Sequence, residues 1–183
     1  MASSAQRFAF YTSGVGFGVL APRGWYCFTR YGSSGGRLFV GPGVINGSDP
    51  PFPFTASAVE LQATQGGGSG MYEVAQVLAR VFPSQRPYVQ GVINSDVEPA
   101  SDFTFGPYPN DELILQTKRL VRYRTPPHSD GLGTMSGLKA NDDPIDGVAI
   151  LEGKTPDLVV LRVRLPPEQR DLAPVIIQDL LVR

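Results

Sequence analysis

The sequence has one cysteine, one histidine and one tryptophan in 183 residues. A single cysteine, Cys27, closes no internal disulfide, and with a single His128 it is too small a donor set for a structural zinc site. No apolar run is long enough to cross a membrane as a helix. Neither sign of charge is in excess: 16 Lys and Arg stand against 17 Asp and Glu, a net charge of −1. That balance argues against a general nucleic-acid binder, because phosphate contact draws on a surplus of cationic side chains. A Walker Lys-Ser/Thr pair and a completed G-x-G-x-x-G fingerprint are both missing, so no cofactor is expected. Residues 1–6 lack the basic start and apolar run of a signal peptide. They fit a cytoplasmic chain, or a mature form to which an initiator Met has been added.

Glycine and proline are plentiful, at 21 and 17 residues. They favour many short strands joined by turns over a helical bundle. The hydrophobic fraction, 42%, is ample for a core, and the length suits one domain, 1–183.

The stretch Pro22–Val40 organises the rest. Trp25, Cys27 and Thr29 fall on one face of a strand; Tyr26, Phe28 and Arg30 fall on the other. Tyr31–Gly36 is turn chemistry and Arg37–Val40 the returning strand, stopped by Gly41-Pro42. Upstream, Val15, Phe17 and Val19 alternate with Gly14, Gly16 and Gly18, which reads as a strand with a flat glycine face that Trp25 could cover. Trp25 is then core filler, or with Tyr31 and Ser33 it lines a binding face.

Ala5–Tyr11 reads as a first short strand, Val44–Phe54 as a proline-rich loop with a sequon at Asn46, and Ala58–Gln65 as a strand. After Gly66–Gly70 the apolar residues Met71, Val74, Ala75, Leu78, Val81 and Phe82 recur at helical spacing until Pro83. Glu73 sits in the first turn of that helix, where a carboxylate suits the dipole. A glycine-rich turn opening a helix is either a flexible connection or an anion cradle. Ser84–Ile93 reads as a second short helix, and 94–110 as an aromatic loop packed on the core. Glu112–Arg124 alternates as one strand, with Gln116, Lys118, Arg122 and Arg124 forming a basic strip on one face. Residues 125–147 form a second long loop carrying His128, Ser129 and Asp130. Val148–Leu151 and Leu158–Leu165 form a hairpin. Pro167–Arg183 reads as a terminal helix, with Leu172, Val175, Ile176 and Leu180 inward.

Little of this pattern carries chemistry. Cys27 with His128 is one nucleophile–base pair, yet Cys27 lies mid-strand among aromatics and reads as a buried thiol. Ser129 with His128 is the other, although loop neighbours rarely reach triad geometry. Asn141, Asp142, Asp143 and Asp146 depart from EF-hand spacing and suit turn duty.

Several strings resemble a family of uncharacterised exported or periplasmic proteins of Gram-negative bacteria. They are Ala21-Pro22 with Gly24-Trp25 and Cys27, Tyr31-Gly32-Ser33 with Gly35, Ser69-Gly70 with Glu73-Val74-Ala75, Ala100-Ser101-Asp102-Phe103 with Phe105–Pro109, and Asp130–Gly133 leading to Asn141–Ile145. The resemblance implies a periplasmic or secreted location and supplies no reaction, cofactor or catalytic residue.

The expectation is a single α+β domain, a bent antiparallel sheet of meander and hairpins packed by two main helices. Its expected function is non-enzymatic, extracytoplasmic binding of another protein (of inhibitor, immunity or adaptor type) or of envelope glycan. The alternative is a cell-envelope hydrolase using Cys27 or Ser129 with His128. Candidate binding residues are Trp25, Tyr31, Ser33 and Arg37 near the first hairpin, and Arg122, Arg124, His128 and Asp130 further on. None is assigned to catalysis or to a metal.

Overall fold

The last strand in the sequence takes the middle of the sheet. In the computed structural model, which describes residues 4–14, 16–44, 54–153 and 155–182, an antiparallel hairpin of β1 (Phe8–Thr12) and β2 (Gly18–Pro22) comes first. The main sheet follows: β3 (Tyr26–Gly32), β4 (Gly35–Gly41), β5 (Ala58–Thr64), β6 (Glu112–Gln116), β7 (Leu120–Thr125), β8 (Ile145–Glu152) and β9 (Asp157–Arg164). Its order is β3-β4-β5-β9-β8-β7-β6, antiparallel throughout and open, with β3 and β6 at the edges. Among the described residues three α-helices complete this α+β domain: α1 (Met71–Val81), α2 (Arg86–Ile93) and α3 (Ala173–Leu181). No helix among the described residues is long and apolar enough to cross a membrane.

Both faces of the sheet are covered, which is why β9 is buried nearly throughout, as its run Leu158-Val159-Val160-Leu161 requires. Cross-strand register puts Leu38, Leu61, Leu161 and Val148 on one face. There they pack with Val19 and Ala21 of β2 and Ile176 and Ile177 of α3. Val160, Ala149 and Val121 lie on the other face, beneath Val74, Ala75, Val77, Leu78 and Val81 of α1 and Val89 and Val92 of α2. The helical stripe of α1 stands as read, and Pro83 follows its end. α3 begins later than expected, after a 3-10 turn over Pro167–Leu172, and takes Pro174 into its first turn. Val175 faces solvent there instead of the core.

Four further readings need correction. The glycine-alternating strand is shorter than expected: β2 begins only at Gly18, and Gly14 and Gly16 lie in the β1–β2 turn, where the Ser13 hydroxyl donates to Phe17 O at 2.8 Å. The ring of Phe10, not Trp25, lies against Gly18. Glu112–Arg124 is a hairpin rather than one strand, since Thr117 Oγ1 accepts the Leu120 N–H at 2.9 Å and closes a turn around Lys118 and Arg119. A bulge between Leu113 and Leu115 shifts the register, so Leu115 is exposed. Cys27 is exposed, on the edge strand β3. The sequon at Asn46 lies outside the described residues.

Gly147 is a point of close contact: a Cβ there would run into the ring of Tyr123 and the backbone carbonyl of Leu161. Gly147→Ala is expected to cost about 1–3 kcal/mol in urea unfolding, the usual range for overpacking. Gly91 of α2 is exposed with open space around it, so Gly91→Ala is expected to stabilise by roughly 0.5–1 kcal/mol in the same assay.

Candidate functional site

Strands β5 and β9 alternate apolar residues with polar ones, and the polar side chains are inside. Glu60 and Arg162 stand directly opposite each other in the register and are 0% and 1% exposed. Arg162 Nη1 lies 3.7 Å from Glu60 Oε1 and donates to Gln62 Oε1 at 2.8 Å; Nε donates to Leu132 O at 3.1 Å. Glu60 in turn accepts the Ser136 hydroxyl and the Gly137 N–H. A buried pair survives desolvation only when its remaining donors and acceptors are met, and here nearly every one of them has a partner.

The chain of hydrogen bonds runs on toward the surface. Gln62 Nε2 donates to Thr64 Oγ1 at 2.9 Å, and Thr64 Oγ1 donates to Glu73 Oε2 at 3.3 Å. Glu73, in the first turn of α1, is ion-paired with Arg37 of β4. Burial pulls the Arg37 guanidinium below its ordinary value; the charge of Glu60 opposes that shift, while Arg162 and Arg30 add to it.

The Arg37–Glu73 pair opens into a cleft of about 260 Å³, walled by Arg30, Tyr31, Ser34, Gly35, Gly36 and Thr64. Tight β3–β4 pairing down to Gly32 and Gly35 places Tyr31 at its rim, 50% exposed. Gly35 has φ of +141°, a conformation that glycine adopts without strain. The far side of the same glycine segment borders a second cleft of about 360 Å³, with Phe17, Glu152 and Asp157 on its wall. The floor of the first cleft offers a cation and an anion side by side, and its rim an aromatic ring.

The glycine-rich turn beside it is tied down rather than loose. The Gly66 N–H is occupied by Asp157 Oδ1 at 2.8 Å, Gly66 O accepts the Tyr88 hydroxyl, and Ser69 Oγ donates to Ser33 Oγ at 2.9 Å. Burial pushes the Tyr88 phenol up to about 12, so it stays a donor across the physiological range.

Of the residues singled out by sequence, Tyr31 and Arg37 share this cleft and Ser33 sits in the adjoining turn. Trp25 does not join them. It precedes β3 at the strand's other end, half-buried, with its backbone N–H donating to Tyr11 Oη at 3.0 Å. Arg122 and Arg124 lie on β7, four strand spacings from β4, about 19 Å. They form no free basic strip: Arg124 grips Asp146 at 2.8 and 3.2 Å, and Lys118 is in the turn. His128 and Asp130 are exposed in the loop after β7, with His128 Nε2 3.0 Å from Asp142. Cys27 and β7 are five spacings apart, so Cys27 and His128 do not meet. Ser129 Oγ donates to Pro127 O at 3.3 Å rather than to His128.

Asn141, Asp143 and Asp146 are taken up by the Thr55 carbonyl, Arg170 and Arg124. Among the described residues no cluster of three or more His, Cys, Asp or Glu could hold a metal ion. The network's own members, Glu60, Gln62, Thr64, Glu73 and Arg162, are absent from the sequence-based list. Their signal was the opposite charges at alternate positions of two otherwise apolar strands. No protein-family model matches the chain, and a search of curated proteins finds no relative.

Removing one member of the buried pair strands the other. Glu60→Leu is expected to cost about 3–5 kcal/mol in urea unfolding. The double variant Glu60→Leu with Arg162→Met should recover most of that loss.

Proposed function

We propose that the chain is a non-enzymatic binding protein whose partner is another protein, docked along edge strand β3 and into the cleft at the end where β3 and β4 turn. The observation that carries this reading is the Tyr31–Arg37–Glu73 cleft beside an open edge strand. Among the described residues β3 has a neighbour on one side only, and its Tyr26 and Tyr31 are each 50% exposed. An unpaired edge offers backbone groups to an added strand, and tyrosine and arginine are the residues that most often anchor interfaces. The Arg37–Glu73 pair would receive a polar side chain of the partner with matched donor and acceptor. The separation of His128 from Cys27, and the bonding of Ser129, support binding over hydrolysis. An extracytoplasmic location rests on the sequence strings described above.

The test compares capture of partners from an extract of the source cells by the wild-type chain and by a Tyr26→Ala, Tyr31→Ala variant. Both tyrosines are half-exposed, so the variant is expected to melt within a few degrees of wild type. A stoichiometric protein held by wild type and lost by the variant is the expected result. Equal capture by both, or binding of glycan in place of protein, contradicts the reading.

A further inference from the structure

On the helical side of the sheet, away from the Tyr31 cleft, lies a larger cleft of about 460 Å³ between α1, the start of α2, the 103–108 loop and edge strand β6. Its floor is apolar, with Leu78 and Phe82 buried and Leu113 partly so. Pro83 and Pro107 stiffen its walls. Two guanidiniums stand at its rim, each stacked on a ring: Arg80 is 3.9 Å from the centroid of Tyr108 and Arg86 is 4.5 Å from that of Phe105. Stacking fixes the plane of a guanidinium and leaves its edge N–H donors free to meet an anion. Neither arginine is within ion-pair distance of a carboxylate among the described residues, and Arg80 spends one N–H on Gly106 O at a long 3.5 Å.

Arg80 feels the Asp111 carboxylate at longer range, and an apolar floor under two cations with no carboxylate in direct contact is complementary to one kind of occupant. An inorganic anion would leave the floor unused, and a neutral hydrocarbon would leave the guanidinium edges without an anionic partner. The volume falls within the roughly 300–1,000 Å³ of small-molecule sites. We propose that this cleft binds a small apolar carboxylate of the medium-chain fatty-acid type, its tail on Leu78, Phe82 and Leu113 and its carboxylate between Arg80 and Arg86. The site is independent of the Tyr31 cleft and of any protein partner there.

Calorimetric titration of the full chain with octanoate, decanoate and dodecanoate, all below micelle formation, tests the proposal, with decanol as the neutral match. One saturable site is expected, with affinity rising about fourfold per added methylene, as burial of each CH₂ requires. Decanol is expected to bind about tenfold more weakly than decanoate. Arg86 is exposed, so Arg86→Gln is expected to fold normally, bind decanoate about tenfold more weakly and bind decanol unchanged. Absence of saturable binding, equal affinity for decanoate and decanol, or an unaltered Arg86→Gln variant overturns the proposal.

Discussion

Arg162 is the charge that the rest of the structure is built around. It sits on the central strand, out of water, where an isolated cation would be prohibitively costly. Glu60 across the strand pair, Gln62 one step along and the Leu132 carbonyl from the loop above make the position tenable. Each of these groups has its own orientation fixed as a consequence. Glu60 holds Ser136 and Gly137 and Arg162 holds Leu132, so the long 126–144 connection is bound to the sheet at both Leu132 and Gly137. Arg164, two residues on, does the same work with backbone carbonyls, donating to Phe54, Ala56 and Lys139.

The face of the sheet beneath the helices is thus divided. Toward β7 and β8 it is apolar and takes α1 and α2; toward β4 and β5 the polar Glu60, Gln62 and Arg37 stand beside Phe39, and loops close it through hydrogen bonds and the packing of Phe54 and Leu138 on Phe39. The dividing line ends at Glu73, which belongs to the helix yet pairs with Arg37 of the sheet. That pair is half-exposed, with side-chain exposures of 31% and 27%, and it is where the internal network meets solvent. A cleft whose floor is held by a chain of buried bonds is rigid before any ligand arrives, which lowers the ordering cost of binding.

Much of this fold was legible in the sequence. The α1 stripe, the β3–β4 turn, the β8–β9 hairpin and the α+β class follow from periodicity and turn chemistry, which are local. What was not legible depends on pairing at a distance. Glu60 and Gln62 look like the solvated face of a strand until β9 arrives beside them with Arg162, about a hundred residues later in the chain. The supposed basic strip failed because a hairpin turn at Thr117 and a bulge after Leu113 broke its period. Cys27 looked buried among aromatics, whereas it is exposed on edge strand β3, a position that local pattern does not encode. Of the candidate residues, Tyr31, Ser33 and Arg37 came together because one tight turn joins them. Trp25, Arg124 and His128 did not, because strand order separates them.

The central claim is that the buried pair and the cleft floor form one coupled unit. A double-mutant cycle by urea unfolding, with Glu60→Gln and Glu73→Gln singly and together, tests it most directly. Coupling through Arg162, Gln62 and Thr64 predicts that the two losses differ from additivity by more than about 0.5 kcal/mol. Losses that add to within about 0.5 kcal/mol would contradict it, leaving the Arg37–Glu73 pair an ordinary surface contact.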